Sequence, residues 1–213
     1  MPEPRLIPMF PLSTVLFPHA LLPLRVFEPR YRVMTERVLK AEREFGVVLI
    51  ERGSEVGGGD TRFDVGTVAQ IVRAQQLGDG GYVLATVGIR RLRVVRWLPD
   101  DPYPQAEVAD FPEPEPTSTT ASAASAGAAR DRARGALDEV FAIYRQRDLR
   151  VPDLPPVADE VVQASYELAA LAPIGPLDAQ RLLETAAAAE RLLGLAELLE
   201  EHARMLREGD RLE

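Results

Sequence analysis

The chain has no cysteine, one lysine and two histidines among its 213 residues. Without cysteine there is no disulfide, no thiol nucleophile and no thiolate metal site. The single lysine, Lys40, lies between Leu39 and Ala41, so no glycine-rich phosphate loop ending in lysine exists. The triplet Gly57-Gly58-Gly59 lacks that lysine too and reads as a flexible hairpin tip. ATP hydrolysis is excluded on those grounds. His19 and His202 have no partners at ligand spacing; they read as a surface or capping residue and a helix-flank residue. Ser13, Ser54 and Ser165 stand outside any G-x-S-x-G setting, and a catalytic triad would need one of those isolated histidines. The pairs Glu113 and Glu115, and Glu200 and Glu201, lie in polar or helix-surface text where solvent keeps them ordinary acids. The expectation is a protein with no catalytic residue, no metal and no cofactor.

Long apolar runs are also missing. None approaches the roughly 18 to 20 residues that span a bilayer, and the opening MPEPRLIPMFPL has Glu3 and scattered prolines where a signal peptide has a continuous apolar stretch. The expected location is the cytoplasm, with no membrane partner. With 46% hydrophobic and 27% charged residues the composition is globular, and the length admits two subdomains. Charge is unevenly divided: Met1 to Asp110 has 14 basic and 14 acidic side chains, Phe111 to Glu213 has 11 and 19, for a net charge of -8. A nucleic-acid footprint would be a basic stripe, and only Arg90, Arg91, Arg93 and Arg96 approach one. In a strand Arg91 and Arg93 share one face and Leu92 and Val94 take the other, which predicts a solvated strand face.

Apolar periodicity divides the chain into a β-rich part, residues 1–112, a flexible linker, 113–129, and a helical part, 130–213. Phe45 to Glu51, Gly66 to Ala74, Tyr82 to Val87 and Leu92 to Trp97 are short β-branched runs bounded by turn residues, suggesting a small barrel or sandwich. Asp79-Gly80-Gly81 supplies the positive φ of a tight hairpin. An early helix starts at Pro29, whose fixed φ suits the first helical position, and its Tyr31, Met34 and Val38 share one face. The stretch from Glu113 to Ala129 is small and polar, too poor in large apolar groups to offset its ordering entropy. Beyond Arg130, helices are expected around Leu137 to Tyr144, Val161 to Ala172, Pro176 to Leu183 and Ala187 to Arg207.

The ordered series Pro11-Leu12, Leu16-Phe17-Pro18, Leu22-Pro23-Leu24, Phe27-Glu28 and Arg30-Tyr31 resembles the amino-terminal substrate-binding domain of Lon proteases, the LON domain. Gly66-Thr67-Val68-Ala69, Gly88-Ile89-Arg90-Arg91 and the text from Ser165 to Leu193 extend the resemblance. It implies an α+β fold: an N-terminal β-rich PUA-like pseudo-barrel with one early helix, followed by a C-terminal helical bundle. The proline-rich opening would cross the barrel in extended form, each proline barring helix. No ATPase or peptidase module is expected, so the resemblance implies a stand-alone member that binds without cutting.

On that resemblance the partners are unfolded or peptide segments of client proteins, or a folded partner protein. The residues expected to bind peptide are Phe17, Leu21, Leu22, Phe27 and Arg30, with filling of the core as the competing role for each apolar one. A second reading is a scaffold that self-associates through the last helix, where Leu192, Leu195, Leu199 and Leu206 follow coiled-coil spacing. Leu193 and Leu198 broaden that stripe toward packing within the chain. RNA binding by a PUA-like barrel is a third reading, opposed by the acidic balance.

Overall fold

A computed structural model describes residues 4–52, 61–114 and 120–209. The chain folds as two compact units, Met1–Pro112 and Glu113–Glu213. The glycine triplet expected at a hairpin tip falls outside the described residues.

The first unit contains β1 (Arg5–Leu12), β2 (Leu21–Val26), α1 (Pro29–Leu39), β3 (Glu44–Arg52), β4 (Thr61–Gln76), β5 (Tyr82–Leu98) and β6 (Gln105–Asp110). The sheet runs β2-β5-β4-β3-β1-β6, and β6 pairs back onto β5, closing five strands into a barrel with β2 as a terminal sixth. Two expected runs, Tyr82 to Val87 and Leu92 to Trp97, are halves of the single strand β5. Its first half pairs with β2 and its second with β6. β1 and β3 pair in parallel, which needs a long crossover, and β2 and α1 lie within that connection. The hairpin at Asp79 to Gly81 forms as expected: Gly80 has φ 79, and the Gly81 N–H donates to Asp79 Oδ1 at 2.9 Å.

Side-chain alternation feeds two cores. Ile7 and Met9 of β1 meet Val48, Val68, Leu92 and Val108 from the other barrel strands inside the barrel. Phe10 and Leu12, pointing the other way, join Tyr31, Met34 and Val38 of α1 with Phe45 and Val47. Strands buried on both faces read as continuous apolar runs, as in Val47-Val48-Leu49. Space between strands is tight. A Cβ on Gly66 would lie 2.2 Å from the Val47 carbonyl oxygen, and one on Gly46 would lie 2.4 Å from Met9 Sδ.

Arg91 departs from expectation. It is buried, not solvated, because the chain leaving β6 folds back over β5 through a Phe111 N–H to Arg91 carbonyl bond of 3.2 Å. That bond lays the Phe111 ring 4.2 Å from the Arg91 guanidinium and 4.4 Å from that of Arg93. Beside it, Glu44 accepts from Arg90 at 2.6 Å and from Arg5 at 3.4 Å.

The second unit contains α2 (Thr120–Gln146), α3 (Val161–Leu171), α4 (Pro176–Glu184) and α5 (Ala188–Gly209). The linker expected over 113–129 is corrected at two places. Helix α2 starts at Thr120, since alanine is the best helix former and a face of Ala129, Ala133 and Ala136 buries without large side chains. Glu113 is held by Arg191, a fully buried side chain whose Nη2 lies 2.8 Å from its carboxylate. Residues 115–119 lie outside the described residues. Arg191 also donates to Ser165 Oγ at 2.6 Å and to the Leu182 carbonyl at 3.1 Å, and lies 4.0 Å from the Tyr166 ring centroid. The helix-seam expectation is corrected too: Leu192, Leu195 and Leu199 are buried within the unit, where α5 packs along α2 and α3. Only Leu206 of that set is partly exposed. Alanines on α2 allow close approach, so α5 satisfies its leucine stripe within its own chain.

Two measurements check this account. Gly66→Ala meets immovable backbone and Gly46→Ala a flexible methionine tip, so urea unfolding should show the larger loss for Gly66→Ala, about 1–3 kcal/mol, with Gly46→Ala milder. Equal losses would contradict the packing described. Burial raises the Glu44 carboxyl, but bonds and charge from Arg90 and Arg5 outweigh it and hold the group below the ordinary carboxylate range. A depressed folded pKa gives stability that is complete above the unfolded value and lost as pH falls through the folded one. Below about pH 4, near the ordinary glutamate value, the parent should therefore lose its stability advantage over Glu44→Gln, an advantage that is constant at neutral pH.

Candidate functional site

β2 is the sheet's terminal strand and pairs with β5 alone. Among the described residues its other edge has no strand partner. Pro23 sits in its middle, and a proline, having no N–H to give, belongs where that group would face away from the neighbouring strand. Alternation along an antiparallel pair then directs the N–H groups of Leu21 and Arg25 to the open edge as well, while Leu22, Leu24 and Val26 bond to β5.

A cleft of about 190 Å³ lies against this strand, lined by Pro23, Leu24, Arg25, Val26, Phe27 and Glu28, with Phe10 and Leu12 of β1 and Tyr31 of α1. Successive side chains of a strand point to opposite faces. Four consecutive strand residues, Pro23 to Val26, border the cleft, so positions from both faces of β2 contribute to it. The floor is aromatic: Phe10 and Tyr31 stack with centroids 4.1 Å apart, and the Arg30 guanidinium lies 4.6 Å from the Tyr31 centroid.

Charge around this cleft is mostly matched. Arg30 Nε donates to Glu28 Oε2 at 3.1 Å, and Asp100 lies 4.0 Å from Arg30 and 3.7 Å from Arg62. Glu28 also precedes α1, whose first residue is Pro29, and a carboxylate there is favoured by the positive end of the helix. Arg25 is different. It is exposed and has no hydrogen-bond, ion-pair or ring partner among the described residues.

The expected peptide-binding residues divide under this geometry. Phe27 lines the cleft and is 54% exposed. Arg30 covers the lining residue Tyr31. Leu21, 76% exposed, lies on the same strand outside the cleft, and Leu22 is partly buried against the core. Phe17, only 3% exposed, belongs to the core and is not among the residues lining the cleft. Phe10, Leu12, Leu24 and Tyr31 were not expected; they reach the cleft through tertiary packing, and no local spacing in the sequence marks them. His19 is exposed at φ 65. His202 shares a 2.9 Å hydrogen bond with the Tyr144 hydroxyl. Among the described residues no group of three or more histidine, aspartate or glutamate side chains could hold a metal ion, and no helix is long and apolar enough to cross a membrane.

A family model described as the ATP-dependent protease La (LON) substrate-binding domain matches residues 6–201. The chain belongs to that family. A Lon protease of Anaeromyxobacter dehalogenans is 25% identical over 219 residues, covering 99% of this chain and 25% of the relative. A Lon protease of Cytophaga hutchinsonii is 34% identical over 108 residues, 50% of this chain and 13% of the relative. This LON domain thus spans about a quarter of the length of the first of these. Among solved structures, a Lon N-terminal domain protein from Xanthomonas campestris superposes with TM-score 0.59 at 27% identity, over 88% of this chain and 95% of that one. The N-terminal domain of the Mycobacterium avium complex Lon protease superposes with TM-score 0.60, over 93% and 100%; at 18% identity it supports the fold alone. The α+β architecture, a β-rich unit followed by helices, is therefore that of Lon N-terminal domains.

Alanine substitution separates core from cleft. Phe17→Ala should cost about 3–5 kcal/mol in chemical denaturation, whereas Phe27→Ala should stay within about 0.5 kcal/mol. Equal losses would mean that Phe27 is structural.

Proposed function

We propose that this LON domain binds extended segments of other polypeptides along the open edge of β2, and that it does so without chemistry of its own. The observation that carries this reading is the cleft bordered by a strand that, among the described residues, has one edge without a strand partner. Such an edge takes an added strand through main-chain hydrogen bonds, and pockets beside it select side chains. Exposed edges are usually blunted or covered. Here a proline limits the edge, yet the N–H groups of Leu21 and Arg25 and the neighbouring carbonyls stay available. The family's description as a substrate-binding domain supports a protein ligand. A cytoplasmic setting, rich in unfolded chains, suits it.

Affinity for one segment is low on this reading. Two large apolar side chains entering the cleft contribute roughly 1.5 to 3 kcal/mol each, against an association cost of about 4 to 15 kcal/mol. Backbone bonds supply the surplus, and a single short peptide binds no tighter than about tens of micromolar, by the same balance. Presentation of several domains to one chain would raise the apparent affinity by effective concentration.

Calorimetry with an unfolded peptide and with the same peptide N-methylated at alternate residues tests the mode. One of the two methylation registers should abolish binding, because it removes the N–H groups that face β2; the other should bind nearly as the parent does. Equal binding by all three would exclude strand addition, and nanomolar affinity for a single short peptide would point to a deeper site.

A further inference from the structure

The edge of β2 has two sides. The cleft floor is apolar and aromatic, from Phe10, Leu12 and Tyr31, while the exposed Pro23 and Arg25 also border it. On the outward side, Leu21, Pro23 and Arg25 alternate along β2, all exposed. Register carries the same face across the sheet: Arg25 lies beside Val83 and then Gln75, and Pro23 beside Ala85 and then Arg73. None of these positions is acidic. Arg25 and Arg73 are both exposed, and neither has a hydrogen-bond, ion-pair or ring partner among the described residues. The acids nearest in sequence are engaged elsewhere, Glu28 by Arg30 and Asp79 by the Gly81 N–H. In a chain of net charge -8, this face is a local cationic exception.

We propose that the segment received by β2 alternates large apolar side chains, directed into the cleft, with acidic ones directed at Arg25 on the outward face. The inference rests on the strand-addition reading above and names the class of segment that edge prefers. An added strand places its outward side chains beside those of β2, at the separation where opposite charges attract and like charges repel. Its alternate side chains meet Phe10, Phe27 and Tyr31. The occupant is thus an extended acidic and apolar stretch of a partner polypeptide. A basic amphipathic stretch of equal apolar content fits the cleft and is repelled at Arg25. Salt reduces the discrimination because the face is exposed.

Fluorescence anisotropy decides it, with the whole chain titrated against two labelled short peptides in which leucine alternates with glutamate or with lysine. The acidic peptide should bind about tenfold more tightly at low salt, attraction in one case and repulsion in the other each amounting to about threefold. The ratio should shrink in high salt. Arg25→Glu should reverse the preference, and Arg25→Lys should keep it; the side chain is exposed, so circular dichroism should be unchanged in both. If the two peptides bind the parent alike, or Arg25→Glu leaves their ratio unchanged, the charge inference is overturned while strand addition stands. If neither peptide binds, both are overturned.

Discussion

The site depends on one strand serving two neighbours in succession along a single edge. β5 gives its residues 92–98 to β6, closing the barrel, and its residues 82–87 to β2. Because β6 reaches only the second half, the first half is left for a strand that the closed barrel does not need. β2 is that strand, with one edge satisfied and one open. Its attachment is reinforced from the side: the Thr86 hydroxyl donates to the Leu22 carbonyl at 2.7 Å, and the Gly88 N–H donates to the Ala20 carbonyl at 3.0 Å. Closure removes edges; here, among the described residues, β2 keeps one side unpaired beside an aromatic floor.

A different constraint organises the helical unit. Arg191 is an ionised side chain with no solvent contact, a costly arrangement unless every donor is met. Its partners come from α3, from the end of α4 and the turn after it, and from Glu113 at the head of the unit. The Tyr166 hydroxyl donates to the same Glu113 carboxylate. One guanidinium thus ties together three separate stretches of the unit. This explains why Glu113 is ordered in text that composition alone assigns to a mobile connection.

Much of the fold was legible in the residues, and the failures have physical causes. The early helix was readable because Pro29 sets its start and Tyr31, Met34 and Val38 repeat at helical spacing. The Asp79 hairpin was readable because its glycines meet a conformational need. The start of α2 was not, since alanines such as Ala129, Ala133 and Ala136 bury without large side chains, and apolar counting gives them little weight. β6, with Gln105, Glu107 and Ala109 alternating against Ala106 and Val108, was missed for a similar reason: its inward residues are small. Phe17 shows the limit for the site. Phe17 follows Leu16 as Phe27 follows Val26, yet Phe17 is buried and Phe27 exposed, a difference that no local spacing marks. The cleft joins residues 10–12 to residues 23–31, and only tertiary register brings those together.

Amide hydrogen exchange at β2, residue by residue, with and without an extended peptide, tests the central claim most directly. In the free chain the amides of Leu22, Leu24 and Val26, bonded to β5, should exchange slowly, and those of Leu21 and Arg25 fast. Peptide should slow Leu21 and Arg25 selectively. Protection of Leu21 and Arg25 in the free chain, or peptide-induced protection confined to residues away from β2, would contradict the account.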